Sequence, residues 1–382
     1  MRIALVLAGP YPAFRGSQVL VQQLAHGLGE RGHVVHLVTY GPGEPGLPGP
    51  RPGRLLRDAA LVVRLWRCVR REAIDVIHAH NYEAAVAGLI VAHLCRRPIV
   101  YHGHTALADE LPLYFDGHVA RRLARALGHA VDAHVPRRAD FCIAVTPELE
   151  TILRRRGVAD DGLACITPAG SPLDLGGPPG PGQGTGRVCY AGNLDGYQNL
   201  EFLLRAFAVV RARVPGARLV VVTHVETSAD ALRLSEPGVE IVRAGSFQEV
   251  RARLVEADVA VSPRAEPSGF PMKLLNYMAA GKAIVASAGS AKGLVDGVTG
   301  RVTPDGDVEG FATAIVELLE DVGQRERLGA AARHAVEDPG AWEGVLDRIE
   351  AIYVRVATSE REDRPGLVAR SRPAVMPVVD SE

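Results

Sequence analysis

The chain has 382 residues, of which 47% are apolar and 23% charged, and its formal net charge is -1. This is the composition of a folded globular protein, and the length exceeds what one ordinary hydrophobic core serves, so we expect two α/β domains. The balanced charge argues against a general nucleic-acid-binding protein, which would carry a clear basic excess.

The first half of the chain alternates short apolar runs with longer helical patterns. This alternation is typical of βαβ units that build a mostly parallel sheet. Thr146 and Pro147 have the residue types of an N-cap and a first helical position, so one helix is expected to begin there. The predicted strands are 2–7, 34–39, 74–79, 98–102, 140–145 and 163–167. The predicted helices are 17–31, 54–72, 83–95, 118–135 and 147–156.

A stretch rich in glycine and proline interrupts the pattern between residues 170 and 186. It can hold neither a helix nor a central strand, and it predicts a linker between domains. The alternation then restarts, and the two final helices have no strand between them. The predicted strands are 187–191, 217–223, 239–242, 258–262, 283–286 and 300–303. The predicted helices are 198–213, 247–256, 271–280, 307–321, 323–336 and 340–356.

The pattern therefore predicts two Rossmann-like domains that face each other across a cleft. Open parallel sheets bind ligands at the carboxyl ends of their strands, so the cleft is the expected binding site. The last helix is expected either to stay with the second domain or to return to the first. The predicted boundaries are 1–170 for the first domain, 171–186 for the linker, 187–340 for the second domain, 341–357 for the last helix and 358–382 for a mobile tail.

Neither export nor membrane insertion is predicted. The chain begins directly with a strand-like run, which indicates no signal peptide, and no apolar run reaches the ~18 residues of a membrane span. Five cysteines are scattered singly, without a Cys-x-x-Cys pair, so neither a zinc site nor a disulfide framework is expected. We therefore expect a cytoplasmic protein.

Two segments have the composition of ligand-binding loops. The loop from Gly9 to Ser17 lies between the first strand and the first helix, but it lacks the G-x-G-x-x-G pattern of NAD-binding proteins. Gly16 in it allows close backbone approach, or is an ordinary turn glycine. The segment 263–282 follows a buried strand, and its helix is expected to run from Pro271 to a left-handed cap at Gly281. Lys273 and Asn276 are three residues apart and share one face of that helix.

The second segment reads GFPMKLLNYMAAGK over residues 269–282, and it is similar to the donor-binding segment of family 4 retaining glycosyltransferases. Other motifs agree in order with that family. They are RGS (15–17), ERGHVV (30–35), DVIHAH (75–80), ADFCIAVT (139–146), ITPAG (166–170) and AGNL (191–194). The resemblance covers about residues 1–335 and implies the GT-B fold. It also implies metal-independent transfer of a hexose-type unit from a nucleoside-diphosphate sugar, with the anomeric configuration retained.

The resemblance also implies roles for individual residues. Gly16 would approach the donor phosphate, and His102 would lie beside the transferred sugar. Glu266 would be the acidic residue of the donor loop and act in catalysis, and His80 and His104 would face the acceptor. No cofactor and no bound metal are implied. The residues expected to bind the donor are Gly16, Gly192, Asn193, Gln198, Arg264, Ser268, Gly269, Phe270, Pro271, Met272, Lys273 and Asn276.

The chain departs from the family pattern where the family places charged groups. The Arg and Lys that neutralise the leaving diphosphate are replaced by Asn193 and Gln198. Because developing charge in a closed cleft needs compensation, we expect Lys273, Arg264 and helix amides to supply it. The family's E-x7-E pattern falls on Ser268 and Asn276, so either Glu266 serves from two residues earlier or the first acid is absent.

Four histidines, His78, His80, His102 and His104, follow two neighbouring strands. Imidazoles at neighbouring strand ends can form a metal site, but no Cys or carboxylate completes one in the sequence. We favour packing in the sheet for His78 and an orienting, hydrogen-bonding role for His102.

The helices at 54–72 and 118–135 are amphipathic and rich in arginine. We favour helices that cover the sheet and expose a solvated basic side. The alternative is peripheral contact with an anionic membrane.

The sequence thus predicts a glycosyltransferase that uses a nucleotide-sugar donor and a small-molecule, glycan or lipid-linked acceptor. Two alternatives stay open. One is a nucleotide-sugar-binding protein without transferase activity, suggested by the missing charged residues. The other is a GT-B-fold isomerase that acts on a nucleotide sugar without an acceptor.

Overall fold

The predicted apolar runs form two parallel sheets in the computed structural model of the protein. The structure describes residues 1–12, 16–43, 52–170, 184–224, 236–265, 269–337 and 339–362. Most of the predicted linker, residues 171–183, and most of the predicted tail, residues 363–382, lie outside this range.

The first sheet contains six strands among the described residues, in the spatial order β2-β1-β3-β4-β5-β6. All of its pairs are parallel. Ile3, for example, lies opposite Val35 on one side and Val76 on the other. Its side chain is fully buried, because a parallel sheet covered on both faces has no solvated side. The strands are β1 (Arg2–Leu7), β2 (Val34–Val38), β3 (Val76–His80), β4 (Ile99–Gly103), β5 (Phe141–Ala144) and β6 (Leu163–Cys165).

The second sheet also has six described strands, all parallel, in the order β12-β11-β10-β7-β8-β9. The strands of both sheets coincide with the predicted segments to within two residues, so the predicted fold of two Rossmann-like sheets is confirmed. The strands are β7 (Arg187–Ala191), β8 (Arg218–Thr223), β9 (Val239–Arg243), β10 (Val259–Ser262), β11 (Ala283–Ser287) and β12 (Arg301–Thr303).

The helices connect successive strands, as the alternation predicts. Thr146 caps its helix as expected, since its hydroxyl accepts a hydrogen bond from the Leu149 amide at 3.2 Å. In the first half the helices are α1 (Gly16–Glu30), α2 (Pro52–Glu72), α3 (Asn81–Cys95), α4 (Leu107–Glu110), α5 (His118–His134) and α6 (Pro147–Arg155). In the second half they are α7 (Leu200–Arg213), α8 (Phe247–Glu256), α9 (Lys273–Ala279), α10 (Val308–Glu320), α11 (Val322–Val336) and α12 (Pro339–Glu362).

The helix of the donor-like segment is shorter than predicted. It starts at Lys273 rather than Pro271, because the Pro271 carbonyl accepts a hydrogen bond from Leu274 in a separate turn at 2.8 Å. Its end agrees with the prediction, since Gly281 has the positive φ of 60° that a left-handed cap requires.

The strand order of each sheet reverses beside its first strand. In the first sheet β2 lies on one side of β1 and β3 on the other, and β8 and β10 flank β7 in the same way. At such a point the following loops diverge to opposite faces and leave a crevice at the carboxyl edge of the sheet. The fold therefore directs attention to the residues after β1, β3, β7 and β10.

The last helix, α12, packs against the first domain. Its buried side chains belong to the same apolar core as β1 and β3, and Leu346 fits against Gly27, where an added Cβ would lie 2.8 Å from it. On the outer side, Arg31 lies 2.6 Å from both Asp347 and Glu350. The helix continues to Glu362 instead of ending at residue 357, and the Thr358 hydroxyl donates to backbone carbonyls of its previous turn.

Because α12 contributes to the core of the first domain, removing one of its buried side chains should destabilise the protein. We expect Ile349→Ala, at a fully buried position, to lower the free energy of unfolding by about 2–5 kcal/mol. Val354→Ala on the exposed side of the same helix is the matched control, with an expected change below about 0.5 kcal/mol. Urea unfolding measures both, and equal effects would contradict the packing of α12 on this core.

Candidate functional site

A cavity lies between the two domains, at the carboxyl ends of β7 and β10. Residues from both domains line it, with Gly16 and Val19 from the first and the remainder from the second. The predicted donor-binding residues that line it are Gly16, Gly192, Asn193, Gln198, Arg264, Phe270, Pro271, Met272, Lys273 and Asn276. The chain segments are far apart in sequence, and the switch-point topology brings them together.

Lys273 is a cation in the lining of this cavity. Its ammonium donates to the Tyr190 hydroxyl at 3.0 Å and to Oε1 of Gln198 at 2.5 Å. It also lies 4.1 Å from the centre of the Tyr190 ring. Desolvation, and next the neighbouring positive charge of Arg264, hold the pKa of Lys273 well below its ordinary value. An anion bound next to Lys273 would therefore raise its pKa and favour the protonated, charged form.

Asn193 and Gln198, the neutral replacements, are both buried beside this lysine. Asn193 donates from its amide nitrogen to Asp195 at 2.7 Å and to the Tyr197 hydroxyl at 3.0 Å. Its side-chain carbonyl oxygen is buried without a hydrogen-bond partner. Gln198 uses its carbonyl oxygen for Lys273. Gln198 thus orients Lys273, and Asn193 orients Tyr197. Neither side chain adds a charge to the site.

Arg264, directly after β10, supplies a second buried cation. Its guanidinium lies 5.1 Å from the centre of the Tyr197 ring, and desolvation lowers the pKa of Arg264. Gly269 packs against it, because a Cβ at Gly269 would lie 2.4 Å from an Arg264 nitrogen and 2.8 Å from the Thr105 methyl group. Gly269 does not line the cavity. It permits the close contact between the Arg264 loop and the first domain.

The two domains touch at the rim of the cavity. A Cβ on Gly16 would lie 3.2 Å from Met272, so the first loop and the donor-like segment face each other at close range. Phe270 and Met272 pack against the apolar core of the first domain. Lys292 and Glu148 form an ion pair of 2.6 Å across the same interface, away from the cavity lining. The first loop and the donor-like segment therefore approach each other at one side of the cavity.

The four histidines meet at the carboxyl edge of the first sheet, but outside the lining of this cavity. Nε2 of His78 lies 3.0 Å from Nδ1 of His102, and Nδ1 of His80 lies 3.0 Å from Nε2 of His104. The Tyr353 hydroxyl of α12 lies 2.5 Å from the other nitrogen of His78. His102 is 2% exposed, and its Nε2, like that of His80, is buried without a hydrogen-bond partner.

Burial keeps these imidazoles neutral. Desolvation lowers the pKa of His78 to about 3 and that of His104 to about 4, and it depresses the pKa values of His80 and His102 strongly as well. Candidate ligand atoms of His78, His80 and His102 lie within 4.8 Å of one another. The rings of His78 and His80 are stacked, however, at 4.5 Å and 20° between planes. Stacked rings direct their lone pairs along nearly parallel planes, so in this arrangement they do not converge on one metal ion.

Several residues of the site were missed by the sequence analysis. Tyr190 and Tyr197 form the wall against which Lys273 and Arg264 lie, and Glu110 and Tyr114 face this wall from the first domain, close enough to influence the pKa of Arg264. The sequence contains no motif around them. Their only signal is a tyrosine next to the Ala191-Gly192 turn. Glu266 and Ser268 lie outside the described residues, so their predicted roles stay predictions.

Two Rossmann-like domains with a ligand cavity between their carboxyl edges define the architecture of the GT-B glycosyltransferases. A family model described as "Glycosyltransferase Family 4" matches residues 14–169, and one described as "Glycosyl transferases group 1" matches residues 185–321. The chain belongs to the family 4 glycosyltransferases.

Individual relatives are similar at low identity. The phosphatidyl-myo-inositol mannosyltransferase of Mycobacterium tuberculosis is 26% identical over 389 residues, which cover 94% of this chain and 98% of the relative. The glycogen synthase of the same organism is 26% identical over 306 residues, covering 77% and 72%. Among solved structures, sucrose-phosphate synthase from Thermosynechococcus elongatus has a TM-score of 0.76 at 19% identity, covering 94% of this chain and all of that one. Anabaena HepE in complex with UDP-glucose has a TM-score of 0.70 at 17% identity, covering 92% and 100%.

The neutral histidine cluster should make the stability of the protein depend on pH. Because the pKa values are lower in the folded chain than the ordinary value near 6.5, the unfolded chain binds more protons below that pH. Stability should therefore be fully present above about pH 6.5 and decline as the pH falls towards 4. Each such histidine adds a slope of up to about 1.4 kcal/mol per pH unit.

We expect His78→Gln to reduce this slope in urea unfolding measured between pH 7 and pH 5, since glutamine does not titrate. His334→Gln, at an exposed position of α11, is the matched control and should leave the slope nearly unchanged. An identical slope in the His78→Gln variant and the native protein would contradict the neutral state of His78.

Proposed function

We propose that the protein transfers a hexose-type sugar from a nucleoside-diphosphate sugar to an acceptor hydroxyl, with retention of the anomeric configuration and without a metal ion. The observation that carries this proposal is the Lys273 ammonium, held by Tyr190 and Gln198 in the wall of the interdomain cavity. An anionic group that enters the cavity meets a lysine whose charge is poorly solvated by the protein alone. The solved relative in complex with UDP-glucose has the same fold, which supports a nucleotide-sugar donor.

In the proposed reaction the bond from the anomeric carbon to the diphosphate oxygen breaks as the bond from that carbon to the acceptor oxygen forms. The acceptor hydroxyl attacks on the face that the diphosphate leaves, and its proton passes to the leaving phosphate. Lys273 and Arg264 stabilise the charge that develops on the diphosphate. Asn276 lies in the same wall and offers both a donor and an acceptor to sugar or ribose hydroxyls.

The substitutions at 193 and 198 are compatible with this proposal. Gln198 accepts a hydrogen bond from Lys273 and fixes the position of that ammonium group. Lys273 is therefore proposed to supply the positive charge that the family pattern places at residue 198. Asn193 keeps a free carbonyl oxygen at the cavity and holds Tyr197 beneath Arg264. The charge of the site therefore comes from β10 and α9 instead of the turn after β7.

His102 is proposed to orient the sugar rather than to abstract a proton. Burial keeps it neutral, and its Nε2 has no hydrogen-bond partner, which supports a hydrogen bond to a sugar hydroxyl. Because His102 lies outside the cavity lining, this role requires that the cleft extend to it when the sugar is bound. His80 and His104 lie on the same edge and are proposed to face the acceptor. The acceptor is a hydroxyl-bearing small molecule, glycan or lipid-linked compound, and the lipid acceptor named for one relative supports the last class.

The first test is a thermal-shift screen of the full chain against nucleoside diphosphates and nucleotide sugars. A ligand at ~100 times its dissociation constant should add about 2.7 kcal/mol of stability. The nucleotide sugar that gives the shift is then incubated with polyol, glycan and lipid acceptors, with and without EDTA, and the product is analysed by proton NMR. We expect an anomeric coupling constant equal to that of the donor, and no loss of turnover with EDTA.

The outcomes separate the alternatives. Conversion of the nucleotide sugar without any acceptor would support the isomerase. Binding without turnover of any acceptor would support the binding protein. No shift with any diphosphate, or inversion at the anomeric carbon, would overturn the proposal.

The role of Lys273 is tested by Lys273→Met, which keeps most of the side-chain volume. Loss of one hydrogen bond to a charged group is worth about 1.5–3 kcal/mol, so affinity for the nucleoside diphosphate should fall on the order of 10- to 100-fold in isothermal titration. In the native protein this affinity should decline as the pH rises through the depressed pKa of Lys273, since only the protonated lysine attracts the diphosphate. The variant should lose that dependence.

Lys292→Met is the control, because Lys292 is a lysine of the same interface that pairs with Glu148 and does not line the cavity. Its effect should stay within about 3-fold. Equal losses in both variants would show that Lys273 is not the charge partner of the diphosphate.

A further inference from the structure

The outer layer of the first domain has an unusual surface composition. The helices α2, α3 and α5 follow β2, β3 and β4, and each leads to the next strand in the same direction across the sheet. Because such crossovers are right-handed, the three helices lie on one face of the sheet. α2 and α3 are in direct contact, and Arg54 of α2 pairs with Glu83 of α3 at 2.8 Å.

Each of these helices exposes large apolar side chains. Leu56 is 77% exposed, Val119 is 74% exposed and Leu94 is 63% exposed. On α3 and α5 the exposed residues recur every fourth position, which places them in one stripe along each helix. The exposed apolar residues are Leu55, Leu56, Val63 and Trp66 on α2, Val86, Ile90 and Leu94 on α3, and Val119, Leu123 and Leu127 on α5. We call this set the apolar face.

Two of the helices that carry the apolar face, α2 and α5, also expose many arginines. The segment 52–138 contains thirteen arginines, no lysine and eight carboxylates, although the whole chain has a net charge of -1. Two of the carboxylates on α2 are engaged elsewhere, since Asp58 accepts from the Tyr40 hydroxyl and Glu72 pairs with Arg2 at 3.0 Å. The exposed arginines are Arg57, Arg64, Arg67, Arg70 and Arg71 on α2, and Arg121, Arg122 and Arg125 on α5.

We propose that this face docks on an anionic lipid surface. Exposed apolar side chains that share helices with exposed guanidinium groups are complementary to acyl chains below a layer of negatively charged headgroups. Trp66 lies with the Arg70 guanidinium 5.6 Å from its ring, a pair of residue types suited to a membrane–water interface. None of the described helices is long and apolar enough to cross a membrane, so the contact is a peripheral one.

A second copy of the chain would fit the apolar face less well than an anionic lipid surface. Two copies that met through the apolar face would bring their arginines together, and like charges at an interface repel. Anionic headgroups would instead neutralise exposed arginines of α2 and α5. The amphipathic pattern of α2 by itself favours a solvated basic side. The exposed fractions change this interpretation, because the outward side carries Leu55, Leu56 and Trp66 together with the arginines.

The test is flotation of the full chain with vesicles of phosphatidylcholine alone and with 30% phosphatidylglycerol, in the absence of donor. We expect recovery with the anionic vesicles only, and at least a tenfold loss of that recovery when sodium chloride is raised from 0.05 to 0.5 M, because surface electrostatic attraction is screened. The double variant Leu56→Glu with Leu123→Glu should lose at least tenfold in vesicle binding. Both positions are exposed, so the thermal unfolding midpoint should be unchanged.

Val322→Glu, at an exposed apolar position of α11 in the second domain, is the matched control and should bind vesicles like the native chain. Sedimentation velocity of each variant gives the oligomeric state. Equal binding to neutral and anionic vesicles, or no binding, would overturn the proposal. So would a dimer that the double variant converts to a monomer. Since no donor is present, none of these outcomes bears on transferase activity.

Discussion

The cost of placing the Lys273 ammonium away from bulk water governs the arrangement of the cleft. The protein offsets this cost with the hydroxyl and ring of Tyr190, at the end of β7, and with the Gln198 carbonyl before α7. The end of β7, the turn before α7 and the start of α9 therefore all contact the Lys273 ammonium group. Arg264 shares the same desolvated wall, and its positive charge disfavours the charged form of Lys273. Two poorly solvated cations in one wall favour an anionic ligand, as the proposed function requires.

Desolvation also controls the protonation of the histidines at the carboxyl edge of the first sheet. There, burial keeps four imidazoles neutral, and two hydrogen bonds of 3.0 Å join them in pairs. The His78–Tyr353 contact joins this edge to α12, which arrives from the far end of the chain. The C-terminal helix thus supports the first domain's side of the cleft by packing and by a direct polar contact.

The polar and apolar surfaces of the first domain have separate functions in this scheme. Its carboxyl edge meets the second domain, where Gly16 approaches Met272 and Lys292 pairs with Glu148. Its outer helical layer carries the apolar face. An acceptor held at a lipid surface would reach the cleft from the first domain, so the two proposals are physically compatible, although each depends on different residues.

Local patterns in the sequence determined the secondary structure and its order. Apolar runs that must be buried on both sides predict central parallel strands, and all of them were found. Thr146 with Pro147, and Gly281, marked helix ends because capping depends on a few neighbouring residues. The family motifs located part of the cavity lining, since their spacing reflects loops at strand ends.

Only the tertiary structure decided what these residues contact. The pairing of Lys273 with Gln198 joins positions 75 residues apart. Tyr197 lines the cavity, and Tyr190 lies behind it against Lys273, because the switch-point topology brings these segments together. The stacking of His78 on His80 depends on the pleat of one strand and on the neighbouring β4, so a possible metal site could not be judged from the spacing. The outward side of α2 was also undetermined, because which part of an amphipathic helix is covered depends on its neighbours. A one-dimensional pattern encodes local geometry, whereas burial and partner choice are properties of the packed molecule.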